Sequence, residues 1–417
     1  MIFDDSSSEE EEEEDEDLEM AMLMILNEDF RKPRRGSQFG RAWVNRNRAE
    51  GHAKIMRDYF NPDATYTEKQ FRRRFRMQKD LFLTITRAVE RHDEWFELRR
   101  SATGEVSASP VMKCVAAMRV LAYGCSADAI DDYVRIGEDT ILESVRRFTK
   151  AVIEIYGPEY LRAPDEEDTD RLLAENEERG WPGMLGSIDC MHWTWKNCPA
   201  GWKGQYKGHS KDATIILEAV ASHDIWIWHS FFGLPGSLND LNVLSRSPLF
   251  SRLVKGEAPP CNFEIEGHQY TKGYYLADGI YPTWSTFVKT IPRRLCNTQK
   301  KSHFATEQEA TRKDVERAFG VLQKRFGIIR GPVEYWKPEV LWNIMTCCII
   351  LHNMIIEDER DMDDDFRYVS NGDPVVPEHD LSMIDQFLAM HRSIENKEAH
   401  NQLQADLVEH LWRLHGN

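Results

Sequence analysis

Residues 184–195 read MLGSIDCMHWTW, the first of three β-branched or aromatic runs in the second half of the chain. The others are TIILEAVAS at 214–222 and IWIWHSFFG at 225–233, joined by His223 and Asp224. Three successive strands ending in a Pro-Gly turn predict an antiparallel meander. Beyond them the periodicity predicts a helix at 239–253, a strand at 273–277, and amphipathic helices at 311–326 and 338–358. Strands first and then alternating helix and strand indicate an α/β (α+β) domain on a mixed sheet, placed at 181–358.

Upstream, Thr67 and Gln70 have capping-box spacing, and Phe71, Phe75, Leu81, Phe82, Ile85 and Val89 recur three and four apart. With further helices at 111–123, 127–133 and 139–156, residues 67–163 form an all-helical domain. The last two helices, joined through Gly137, have helix-turn-helix spacing, with Arg146, Arg147 and Lys150 on the second. Most helix pairs of this length are packing units, and this segment is acidic. Residues 164–180 read as an acidic loop.

The chain has 417 residues, 24 Gly, 17 Pro, 8 Cys and 41% hydrophobic residues, which excludes collagenous, wholly disordered and disulfide-stapled classes. No secretory signal is read at the N-terminus. The apolar stretch 340–356 is interrupted by Trp342, Asn343, Thr346, His352 and Asn353 and reads as a buried helix, so no membrane partner is expected. The cysteines lack zinc-site spacing and read as core thiols.

The net charge of −17 is unevenly distributed. Residues 1–30 carry 14 acids and no Lys or Arg, forming an acidic tail expected to be disordered around a short helix at 18–26. Residues 31–100 sum to +10, residues 101–185 to −8, residues 186–330 to +6 and residues 331–417 to −11. Residues 31–66 are a basic linker or arm, and its run RKPRRGSQFGRAWVNRNR at 31–48 suits nucleic acid or nuclear import as well as a plain solvated linker. Two basic blocks between acidic ones allow a polyanion to engage locally despite the net charge. Residues 359–417 read as an acidic linker and C-terminal helices, with the docking of a partner as one use for the helices.

Four carboxylates stand out. Asp189 lies inside an apolar strand, where a charge needs a compensating cation. Asp278 ends the strand YYLADGIYP, where open sheets commonly place ligands, although an ordinary Asp-Gly turn also explains it. Glu316 lies beside the apolar stripe of RKDVERAFGVLQKRF and can pair with Arg312 one turn back; Asp240, in LPGSLNDLNVL, can be a helix cap with Ser237. Together they offer the hard oxygen ligands that Mg²⁺ or Mn²⁺ requires, and two such ions suit phosphodiester cleavage. Arg312, Lys313, Arg317, Lys324, Arg325 and Arg330, with Lys196, Lys203, Lys207 and Lys211, supply charge for phosphates. Trp193, Trp195, Trp202, Trp226 and Trp228 are assigned to packing, as are His192 and His352.

GSIDCMHW, LPGSLNDLNVL, YYLADGIYP and KDVERAFGVLQKRFGIIRGP, in this order, resemble the DDE endonuclease domain of PIF/Harbinger-type transposases and of nucleases derived from them. The resemblance runs from about residue 181 to 357, and RFRM at 74–77 is similar to the family's helical N-terminal region. It implies a ribonuclease H-like fold, with Asp189, Asp278 and Glu316 as the catalytic triad and Asp240 as a further ligand of the divalent metal. It also implies cleavage at transposon ends, location in the nucleus, and a separate Myb-like protein that finds the DNA. A homo-oligomer is expected because two element ends must be held together. The alternative is a domesticated transposase acting as a non-catalytic subunit of a nuclear chromatin or transcription complex.

Overall fold

In the computed structural model, which describes residues 46–100, 106–208, 211–249, 261–360 and 397–416, the run at 184–195 becomes the central strand of a five-stranded sheet. The strands are β1 (Met184–Thr194), β2 (Thr214–Ala221), β3 (Ile227–Pro235), a separate hairpin of β4 (Phe263–Ile265) and β5 (His268–Tyr270), then β6 (Tyr274–Ala277) and β7 (Phe287–Lys289). The sheet order is β3-β2-β1-β6-β7. β1, β2 and β3 form the expected antiparallel meander, whereas β6 and β7 lie parallel to β1. β7 and the hairpin strands are three residues each, too short for a period-two pattern to emerge in the sequence.

Seven helices precede the sheet among the described residues: α1 (Arg48–Ile55), α2 (Glu68–Phe75), α3 (Lys79–His92), α4 (Pro110–Tyr123), α5 (Asp128–Val134), α6 (Glu138–Tyr160) and α7 (Glu166–Glu178). Two of them correct the sequence reading. α1 and the π-turn Met56–Phe60 occupy the end of the segment read as a basic linker, and Ile55 and Tyr59 there are buried. α7 replaces the acidic loop expected at 164–180. A capping box between Asp165 and Asp168 starts it, acids in its first turn complement the helix dipole, and Leu172 and Asn176 face inward. With so few apolar residues the segment offers little periodicity to read.

α6 is the spine of the helical region. Ile141, Val145, Phe148 and Val152 are buried, and the helix packs against α4 and the apolar helix near the C-terminus described next. Its bases are paired on the surface: Arg146 with Glu143, Arg147 with Asp93 and Glu143, and Lys150 with Glu154. The three bases identified for DNA reading on α6 are thus paired with neighbouring acids.

The remaining α-helices among the described residues are α8 (Lys203–Tyr206), α9 (Asp240–Arg246), α10 (Gln299–Arg325), α11 (Gly327–Arg330), α12 (Pro338–Arg360) and α13 (Lys397–His415). α9 is shorter than expected, and residues 250–253 of the predicted helix lie outside the described residues. α10 starts twelve residues before the predicted position 311, capped by Thr298, whose hydroxyl accepts from the Lys301 amide. α12 is buried at Val340 and Leu341 and continuously from Ile344 to Ile356, as its apolar composition predicts, while Trp342 is exposed. The acidic tail at 1–30 with its helix at 18–26, the arm at 31–45 and residues 361–396 also lie outside the described residues.

One apolar core runs from Ile55 and Phe75 in the helical region through Trp193 and Leu217 in the sheet to Ile350 in α12. Each such fully buried side chain contributes about 1.5–3 kcal/mol against exposure. Gly124 and Gly327 mark where the helical region meets the end of α10. Gly124 caps α4 with φ +64°, and a Cβ there would lie 2.7 Å from the Gly327 carbonyl oxygen. Gly124→Ala is expected to cost about 2 kcal/mol through left-handed strain and this backbone clash, read as a lower urea midpoint. An unchanged midpoint would show that the junction yields.

Candidate active site

The parallel pairing of β1 with β6 sets the site. Ser187 is in register with Leu276, so two residues further along each strand stand Asp189 and Asp278. A register shift between Met184 and Gly186 precedes them. Gly186 has φ +154°, and a Cβ there would approach the Ala221 carbonyl oxygen to 2.8 Å, so this bend requires glycine.

Behind the strands, α10 is fastened to the sheet by polar side chains. Ser187 Oγ donates to the Thr311 carbonyl at 3.4 Å, and Gln308 Nε2 donates to the carbonyls of Ala277 and Val288, both at 3.1 Å. This presents Arg312 and Glu316 to β1. Arg312 Nη1 lies 3.2 Å from Asp189 Oδ2, and its Nη2 lies 2.9 Å from Glu316 Oε1. The compensating cation that Asp189 requires is therefore Arg312, and the Arg312–Glu316 pair is one arm of a bridge between helix and strand.

Asp240 is placed differently from the cap reading. Asn239 caps α9, its Oδ1 accepting from the Asn242 amide at 2.9 Å, which leaves Asp240 as the first helical residue. Burial raises the Asp240 carboxyl above its usual range; a hydrogen bond from Cys190 and the charge of His192 oppose this, while Asp278 and Glu218 reinforce it. Burial also raises Asp189, opposed by the Cys190 amide and Arg312 and reinforced by Asp240 and Glu316. The four acids thus share one field: Glu316 and Asp240 act on Asp189, and Asp278 acts on Asp240. Asp278 is exposed and accepts from the Gly279 amide at 2.6 Å, while Lys289 fastens the following turn through the Tyr281 carbonyl at 2.7 Å.

Among the described residues no three His, Cys, Asp or Glu side chains close into a ready-made cation cage. The donor set has the hard-oxygen chemistry a divalent ion requires, and a guanidinium stands between two of its members.

Glu218 is a carboxylate that the sequence reading passed over. It lies on β2 opposite Cys190 and is 0% exposed. Ser247 Oγ donates to its Oε1, His229 Nε2 lies 3.2 Å from the same atom, and Oε2 has no hydrogen-bond partner among the described residues. The available signal was the one that singled out Asp189, an acid inside an apolar strand.

Of the bases read from the sequence as phosphate ligands, Arg317 pairs with Asp314 and Lys196 with Glu334. Arg325 is partly buried, donating to the His352 carbonyl and Glu359, and so serves the fold. Lys196, Lys203, Lys207 and Lys211 line a cleft of about 280 Å³ with Thr194 and Trp195. Trp193 and Trp195 are buried and donate their indole N–H groups to backbone carbonyls, consistent with packing. His352 is likewise buried, with Nε2 2.9 Å from the Ile225 carbonyl, and burial lowers it to about 3.

A mixed sheet of this order, flanked by helices and preceded by a helical region, with acids from β1, the end of β6 and the helix behind them, is a ribonuclease H-like fold of the transposase type. Residues 158–363 match the family described as "Plant transposon protein", and residues 51–90 match a domain of unknown function. "Putative nuclease HARBI1" of Homo sapiens is 24% identical over 266 residues, covering 61% of this chain and 69% of that protein. "Protein ALP1-like" of Arabidopsis thaliana is 26% identical over 275 residues, covering 64% of each. No solved structure matches. The segment 158–363 thus matches a PIF/Harbinger-like plant transposon protein family, and the chain is homologous at modest identity to proteins named for transposon-derived nucleases.

Proposed function

We propose that this protein is a metal-dependent DNA endonuclease of the DDE class that cuts phosphodiester bonds at transposon ends. The observation that supports this reading is the parallel β1–β6 register that sets Asp189 and Asp278 on neighbouring strands, with Arg312 bridging Asp189 to Glu316 on the helix behind them. These four side chains would hold one or two divalent ions, Mg²⁺ or Mn²⁺, which supply Lewis acidity for in-line displacement at phosphorus.

The chain's own residues account for positioning. Asp189 and Asp278 are held in register by β1 and β6, and Glu316 is held by the fastened α10. The cleft with Lys196, Lys203, Lys207 and Lys211 lies beyond the end of β1, and Thr194 at its edge is about 17 Å along the strand from Asp189, some five steps of duplex. It suits the backbone of the DNA flanking the cut. Replacing Lys203, Lys207 and Lys211 together with Ala is expected to weaken DNA binding and reduce the slope of log affinity against log salt by about 2–3. An unchanged slope would remove the cleft from the DNA path.

The proposed setting is the nucleus, with a Myb-like partner locating the terminal repeats and a homo-oligomer holding two ends. The test combines the purified chain, that partner and labelled terminal-repeat DNA with Mg²⁺, alongside Asp189→Asn protein. Cleavage by the wild type alone supports the reading. Cleavage by both proteins or by neither overturns it, and neither would point to a non-catalytic chromatin or transcription subunit.

A further inference from the structure

We infer that Arg312 is a resident counter-ion occupying the place of a divalent cation between Asp189 and Glu316, and that cation binding must displace it. This rests on the metal-dependent reading above and adds a positioning residue to it.

The bridge links two elements, since one guanidinium meets a carboxylate of β1 at 3.2 Å and one of α10 at 2.9 Å. It is sheltered, with the Arg312 side chain 17% exposed and that of Asp189 20% exposed. Two carboxylates spanned by one guanidinium are oxygen donors of the kind that a doubly charged ion draws together once the guanidinium has left. Both occupants cannot contact the same oxygens at once. α10 is fastened to β1, β6 and β7 through Thr311 and Gln308, on the turn leading into Arg312. The helix backbone therefore stays in place, and the flexible Arg312 side chain is the part that can leave. Charge balance points the same way, because one guanidinium neutralises only part of the charge on four neighbouring acids.

The consequence is opposite to that of a structural arginine. Loss of a merely structural Arg312 would disorganise the acids and weaken cation binding, whereas loss of a competitor strengthens it. The test is calorimetric titration of the full chain with Mn²⁺. The Asp189→Asn isotherm is subtracted, because the 14 acids in residues 1–30 also attract cations. Arg312→Gln is expected to tighten the Asp189-dependent binding about tenfold, with Arg312→Lys between it and the wild type, since a point charge spans two carboxylates less well.

Equal or weaker binding by Arg312→Gln, with Asp189-dependent binding intact in the wild type, overturns the inference and leaves the metal-dependent reading standing. No Asp189-dependent binding in any of these proteins overturns both. If Arg312→Gln lacks native far-UV circular dichroism, Arg312→Lys decides, and binding no tighter than the wild type overturns the inference.

Discussion

Asp189→Asn is expected to lower strand cleavage by about a thousand-fold or more, and Asp240→Asn to do likewise while raising the melting temperature of the cation-free protein. The loss of activity follows from removing a full negative charge from a set of four whose chemistry is cation holding. The change in stability follows from the cost of keeping that set together. Burial holds the Asp240 carboxyl above its usual range, and Asp278 and Glu218 add to the effect. A carboxyl raised by folding makes its favourable contribution while protonated and loses it as pH rises through the folded value. At neutral pH the ionised Asp240 therefore destabilises the fold, and Asn relieves this. The advantage of Asp240→Asn should be largest at neutral pH and fade in acid, where wild-type Asp240 is protonated in both folded and unfolded chains. Calorimetric melting in EDTA across that range measures it. A variant that melts below the wild type at neutral pH would show that the carboxylate is retained for stability.

Much of this site was legible because polar residues in apolar surroundings are costly and so attract notice. Asp189 between Ile188 and Cys190 was such a case, and the cation it needs is supplied in the structure by Arg312. The strand end at Asp278 was legible because YYLA is a buried run that stops there. Asp240 was found by its motif, yet its local role was misread, since the capping residue is Asn239 one position earlier. The bridging role of Arg312 was invisible, because spacing shows the contact with Glu316 four residues on but not the one with Asp189 across 123 positions. β7 and α7 escaped for related reasons: three residues give no period, and an acidic helix with one buried leucine gives little stripe. What pairs with a distant segment is settled by packing, and local pattern reports only on neighbours.

Asn353 provides the second large effect, through the fold that carries the site. The apolar helix α12 has the length and composition of a membrane span but is buried inside the protein, and His352 and Asn353 set its seat. Asn353 is 0% exposed. Its Oδ1 accepts from the Ile227 amide at 3.0 Å, and its Nδ2 donates to the carbonyls of Ile227 and Tyr160, both at 2.8 Å. These bonds satisfy the first residue of β3, next to the register shift between Val220 and Ala221 where the ladder to β2 is irregular. They also tie α12 to the end of α6. Asn353→Ala would leave these backbone groups without that partner and is expected to cost about 3 kcal/mol or more. Asn353→Leu should be no better despite its greater apolarity, because what is lost is pairing rather than hydrophobic area. Asn353→Asp keeps the acceptor but sets a negative charge against two carbonyl oxygens, so it should be the least stable of the three. Urea unfolding followed by tryptophan fluorescence measures the series, with Trp226 and Trp228 flanking the affected strand residue. If Asn353→Leu proves as stable as the wild type, the buried amide is dispensable and α12 is held by apolar packing alone.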